Sequence, residues 1–75
     1  MIPETINSFY GRSLNPHNKL RSCGGSSGGE ASLVGGGCSP AGLGTDIGGS
    51  VRIPANFCGI YGFWAGWKWG SYEGI

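Results

Sequence analysis

The sequence predicts one small mixed domain, in which two short helices and a brief extended piece are joined by glycine-rich turns. Three observations predict it. A chain of 75 residues buries only about 60% of the surface it exposes when unfolded, so no large core is expected. Its 17 glycines and 4 prolines bring it to roughly the 25–30% share at which a chain without a repeat begins to lose regular structure. The run Ser27-Gly28-Gly29-Glu30 has the spacing of a capping box, in which a serine hydroxyl and a glutamate satisfy the first amides of a helix.

Residues 1–22 carry Asn7, Gly11, Asn15-Pro16 and Asn18, turn formers that interrupt any helical or alternating pattern, and they read as a loop. A helix is expected to begin at Ser27, its hydroxyl serving as the cap. Ala31-Ser32-Leu33-Val34 extends it, and Gly35-Gly36-Gly37 stops it, because glycine is a poor helix interior and offers a left-handed exit. Residues 43–46 read as a short extended piece. Residues 50–57 can form a further helical turn that begins at or just before Pro54, since proline is tolerated only in the first turn. Gly59 and Gly62 close this region. From Phe63 onward the composition shifts to Phe63-Trp64-Ala65-Gly66-Trp67-Lys68-Trp69-Gly70-Ser71-Tyr72, with all three tryptophans close together.

A net charge of +1 gives no electrostatic reason to expect nucleic acid or an anionic membrane as partner. Cys23, Cys38 and Cys58 are an odd number, with no C-x-x-C pair and no zinc-finger spacing to the lone His17, which points to a reducing compartment. No apolar run approaches the ~18 residues that span a bilayer. An intracellular protein, cytoplasmic or at most associated with a membrane surface, is the expectation.

The chemistry concentrates in Cys23-Gly24-Gly25-Ser26-Ser27-Gly28-Gly29-Glu30 and Gly44-Thr45-Asp46-Ile47-Gly48-Gly49-Ser50-Val51-Arg52-Ile53-Pro54. Glycine lets backbone N–H groups approach a bound oxygen, and serine adds a nucleophile, so such turns suit an oxyanion. Ile47-Gly48-Gly49-Ser50 supplies a run of amides beside a hydroxyl, the arrangement an amide hydrolase needs at its developing oxyanion. Asp46 and Arg52 could be solvent-exposed charges or supports of that turn.

The two turns together resemble the amidase signature family over about residues 7–62, with wording nearest the fatty acid amide hydrolase branch. The resemblance implies an α/β fold, a mixed sheet enclosed by helices, of which this chain is an incomplete fragment. It implies hydrolysis of a small-molecule carboxylic amide, fatty acid amides among them, through an acyl-enzyme, with no metal or organic cofactor. In that scheme Ser50 is the nucleophile, and Ser26, following a cis peptide bond, relays a proton to a lysine. The amides of Ile47, Gly48, Gly49 and Ser50 hold the oxyanion, while Ser27, Asp46 and Arg52 support the site. The family's lysine lies upstream of the first serine turn, and neither Lys19 nor Lys68 occupies a matching position, so it is carried over to no residue. The pattern departs at Trp64, which divides the chain into a partial signature domain over residues 1–62 and an aromatic-rich tail over residues 63–75. The tail reads as foreign to the family, with a membrane-interface role as the alternative.

Two rival readings remain open: an amidase subunit that works on transfer-RNA-linked glutamate, and a non-catalytic truncated product. The G-x-S-x-G strings at Gly24 and Gly25 fit a hydrolase elbow, but that fold places its histidine after the serine, whereas His17 precedes it. No dinucleotide or phosphate-loop motif is present.

Overall fold

A computed structural model describes residues 4–66, 70, 71 and 73. Its elements are β1 (Ile6–Asn7), β2 (Gly11–Arg12), β3 (Leu14–Asn15), β4 (Asn18–Ser22), α1 (Gly28–Gly35) and α2 (Arg52–Cys58). The strands form two separate antiparallel pairs, β1 with β2 and β3 with β4.

The expected loop over residues 1–22 is therefore corrected to two hairpins, and the turn formers are what build them. Asn7 Oδ1 accepts the amides of Phe9 at 2.8 Å and Tyr10 at 3.0 Å, closing the first turn so that Ile6 pairs Arg12 and Asn7 pairs Gly11. Asn15 Oδ1 accepts the His17 amide at 3.0 Å and closes the second, where Leu14 pairs Ser22 and Asn15 pairs Asn18 across an irregular register. An asparagine side chain that mimics a backbone turn produces a strand pair with no apolar alternation to announce it.

Helix α1 starts where the capping box places it, yet the capping bond is absent. Ser27 makes no side-chain cap bond to the helix. Its hydroxyl instead accepts the Thr45 amide at 3.2 Å and donates to the Thr45 carbonyl at 3.3 Å. The Gly28 amide is taken by Thr5 Oγ1 at 3.0 Å, from a residue outside the local motif. The C-terminus behaves as expected: Gly37 has φ 79°, and the amides of Gly37 and Cys38 return to the carbonyls of Val34 at 3.1 Å and Leu33 at 2.8 Å. This double return is the Schellman closure of a helix end.

Helix α2 carries Pro54 as its third residue, inside the first turn where its missing N–H costs least. It ends at Gly59, which sits in the left-handed region with φ 70°. No strand forms over residues 43–46, a second correction. The backbone amide and carbonyl of Thr45 are taken by the Ser27 hydroxyl rather than by a neighbouring strand.

The core is small. Cys23, Ala31 and Cys58 are buried together, with Ile60 packed against them, and Pro54 and Ala55 are also buried. Helix α1 packs on α2 and on β3. Asn15 Nδ2 donates to the carbonyls of Ser22 at 3.1 Å and Phe57 at 2.7 Å, and His17 Nε2 donates to the Cys58 carbonyl at 2.7 Å. These bonds fasten the second hairpin to the end of α2. Leu20, Leu43, Tyr61 and Phe63 remain exposed, so these residues leave apolar surface uncovered.

Candidate functional site

The two serine turns meet. The Ser27 amide donates to the Ser50 carbonyl at 3.1 Å, so the residue after Ser26 is hydrogen-bonded to the backbone of Ser50. The Ser27 side chain adds the pair of bonds to Thr45 described above. Both turns are thereby fixed to each other from one residue, by one backbone bond and two side-chain bonds.

Ser26 lies on the exposed side of its turn and follows a cis peptide bond, Gly25–Ser26. Gly25 is buried, and a Cβ built on it would collide with the Glu4 backbone, so only glycine admits this close crossing of the N-terminal segment. Thr5, next along that segment, bonds to the turn on both of its sides. Its hydroxyl donates to the Gly24 carbonyl at 3.1 Å and accepts the Gly28 amide.

Ser50 is buried, 5% exposed, while Ile47 and Gly48 stand open beside it. The turn that carries them is organised by Asp46. One carboxylate oxygen accepts the Gly49 amide at 2.7 Å, and the other accepts the amides of Val51 at 3.1 Å and Arg52 at 3.2 Å. Arg52 adds a fork, Nε to Oδ2 and Nη2 to Oδ1, both at 2.9 Å. The reading of Asp46 and Arg52 as solvent-exposed charges is thus corrected for Asp46, whose side chain is wholly buried; only Arg52 stays half exposed. The Arg52 hydrogen bonds hold the Asp46 carboxyl well below the usual carboxylate range, opposing its burial and assisted by the Gly49, Val51 and Arg52 amides. A carboxylate acceptor at the start of α2, charged at neutral pH, also suits the positive end of that helix.

Gly49 has φ 122°, a backbone conformation that favours glycine, and a Cβ there would also push on the end of the Ile53 side chain. Its amide is already given to Asp46. Of the four amides that sequence assigns to the oxyanion, the one at Gly49 therefore serves the carboxylate in this structure.

Sequence reading misses three contributors. Thr45 lies within the second serine run but has no role in that reading, and Thr5 carries no motif and stands 19 to 23 residues before the backbone groups it bonds. Trp64 falls in the stretch read as a foreign tail, yet its ring lies 4.3 Å from the Arg52 guanidinium carbon, a cation–π contact on the outer face of the Asp46 pair. Lys19 stands exposed on β4. Lys68, Trp67, Trp69 and Tyr72 lie outside the described residues.

A groove of about 720 Å³ runs between α1, α2 and the stretch around residues 40–44, lined by Ala31, Val34, Leu43, Val51, Ala55 and Phe63 among others. Neither Ser26 nor Ser50 lines it. Among the described residues no group of three His, Cys, Asp or Glu is placed to hold a metal ion, and no helix is long and apolar enough to cross a membrane.

Comparison with known proteins finds sequence relatives. A family model described as Amidase matches residues 1–75. The chain is 58% identical over 62 residues to fatty-acid amide hydrolase 2-B of Danio rerio, covering 83% of this chain and 12% of that protein. It is 56% identical over 62 residues to an acetamidase of Emericella nidulans, covering 83% of this chain and 11% of that one. It is 62% identical over 58 residues to a glutamyl-tRNA(Gln) amidotransferase subunit of Sulfurimonas denitrificans, covering 77% and 13%. The chain thus spans only about an eighth of the length of the curated relatives it matches.

Proposed function

The chain belongs to the amidase family, and from that premise we propose that it is the nucleophile-bearing portion of a serine amidase acting on small-molecule carboxylic amides, fatty acid amides among them. The observation that carries this reading is the Ser27-to-Ser50 hydrogen bond, which joins the two serine turns beside a turn collared by Asp46.

In the proposed mechanism Ser50 Oγ adds to the amide carbonyl carbon. Its proton passes to Ser26 Oγ as Ser26 gives its own to a base from outside these residues, a lysine in the family's scheme. The carbonyl electron pair moves onto oxygen, which the amides of Ile47, Gly48 and Ser50 receive; Gly49 helps by fixing the turn through Asp46. Collapse of this intermediate expels the amine, which takes a proton back along the same path, and leaves an acyl-Ser50 ester. Water then attacks the ester, yielding the carboxylic acid and restoring Ser50. Hydroxyls are weak nucleophiles without an adjacent base, so the serine pair requires that partner.

The test is a chimera of fatty-acid amide hydrolase 2-B in which the matching stretch is replaced by residues 4–66 of this chain. A fluorophosphonate probe should label Ser50 and fail to label Ser50→Ala. Labelling that persists in Ser50→Ala and vanishes in Ser26→Ala would reverse the two roles.

A further inference from the structure

We propose that Thr5 is a positioning residue for the Ser26 turn, its hydroxyl tying together the backbone on the two sides of Ser26. The inference rests on the reading of Ser26 as the proton relay. Nothing in the serine motifs includes Thr5, which reaches the turn from the N-terminal segment.

The geometry is that of a strap. Thr5 Oγ1 donates to the Gly24 carbonyl at 3.1 Å, two residues before Ser26, and accepts the Gly28 amide at 3.0 Å, two residues after it. The Ser26 carbonyl lies 3.5 Å from the same oxygen, at the outer limit of a hydrogen bond. A hydroxyl has one proton to donate and lone pairs to accept with, so one Thr side chain can serve both flanks at once. Thr5 is itself fixed at its own backbone, its carbonyl accepting the Ser13 amide at 2.9 Å. Glu4 presses on Gly25 from the same segment. The strap also replaces the helix cap that Ser27 gives up in order to bond Thr45, so the turn stays closed while Ser27 faces Ser50.

A relay serine must keep its oxygen aligned with both the donor and the acceptor of the proton, and small misplacements of such a group lower rate more than binding. Thr5→Val removes the hydroxyl with little change of shape, and Thr5→Ser restores it. In the chimera described above, Thr5→Val is expected to lower kcat by about tenfold with KM and thermal midpoint little changed, and Thr5→Ser to recover most of that loss. Hydrogen exchange of the peptide spanning residues 24–30 should accelerate in Thr5→Val and return to the parent rate in Thr5→Ser. Three outcomes overturn the proposal: unaltered kcat in Thr5→Val, a loss that Thr5→Ser does not recover, or a loss that accompanies collapse of the thermal transition. If the chimera takes no label at Ser50, the proposed function fails instead. The exchange measurement then still decides whether Thr5 holds the turn.

Discussion

The Ser27 amide reaches the Ser50 carbonyl at 3.1 Å while the Ser27 hydroxyl holds Thr45 by both its amide and its carbonyl. Ser27→Ala spares the backbone bond and removes the side-chain pair, so the second turn loses its lateral support. A cost of about 1 kcal/mol is expected from the lost hydrogen bonds, measured by urea unfolding. Slower fluorophosphonate labelling of Ser50 in the chimera should accompany it, whereas labelling at the parent rate would separate Thr45 from the site.

The 75-residue chain by itself is expected to turn over neither oleamide nor an anilide. Ser50 and Ser26 are present, but no lysine of the chain matches the position of the base. A turnover assay against a Ser50→Ala control checks this, and activity clearly above the control would show that some residue here supplies the base.

Acid should destabilise the protein in part through Asp46. Its folded-state carboxyl is held below the unfolded value, about 3.9, chiefly by Arg52. The stability it contributes is therefore fully present above that unfolded value and is lost as pH falls toward and through the folded one. Asp46→Asn should lower stability at pH 7, with three backbone amides left a weaker acceptor, and should narrow the stability difference between pH 7 and pH 3. Urea midpoints at the two pH values, compared between parent and variant, give the answer; equal pH differences would mean that Asp46 is not the acid-sensitive group.

Thiol chemistry should separate the three cysteines. Cys38 is exposed, whereas Cys23 and Cys58 are buried, and burial pushes the Cys58 thiol up, with the neighbouring Cys23 adding to the shift. Less thiolate and less access both slow reaction. An aromatic disulfide reagent should modify one thiol quickly in the native protein and all three in denaturant. Rapid modification of all three without denaturant would contradict the buried core.

Trp64 makes the boundary after Gly62 a testable one. Truncation after Gly66 retains the Arg52–Trp64 stack, and truncation after Gly62 removes it together with Phe63. The shorter chain should have the lower thermal midpoint. Identical midpoints would make residues 63–66 an appendage, as composition alone suggests.

How far the sequence announces this arrangement depends on the distance over which each bond acts. The start of α1, the proline in the first turn of α2 and the left-handed glycines at both helix ends are legible because their causes are local. The hairpins are not, since Asn7 and Asn15 close them with side chains, three of the four strands are only two residues long, and the fourth, Asn18–Ser22, carries no apolar alternation. The capping box predicts the right helix start through the wrong bond, because Thr45 competes for the Ser27 hydroxyl from eighteen residues away. The pairing of Asp46 with Arg52 is visible only as two alternatives. Trp64 lies in the stretch that composition sets apart, which conceals its place on Arg52.

The bonds from Asn15 to Phe57 and from His17 to Cys58 span 42 and 41 residues of chain. A ribosome adds about 5–20 residues per second, so the second hairpin waits on the order of seconds after its own synthesis for the carbonyls that anchor it. Throughout that interval Cys23 also lacks Cys58, its companion in the core. The second hairpin thus emerges before the α2 carbonyls that anchor it, and its strand edges lack that anchor until α2 arrives. Nascent-chain length is therefore a control variable: chains stalled before residue 58 has cleared the exit tunnel should be protease-sensitive across residues 4–22, and those stalled after it should be protected.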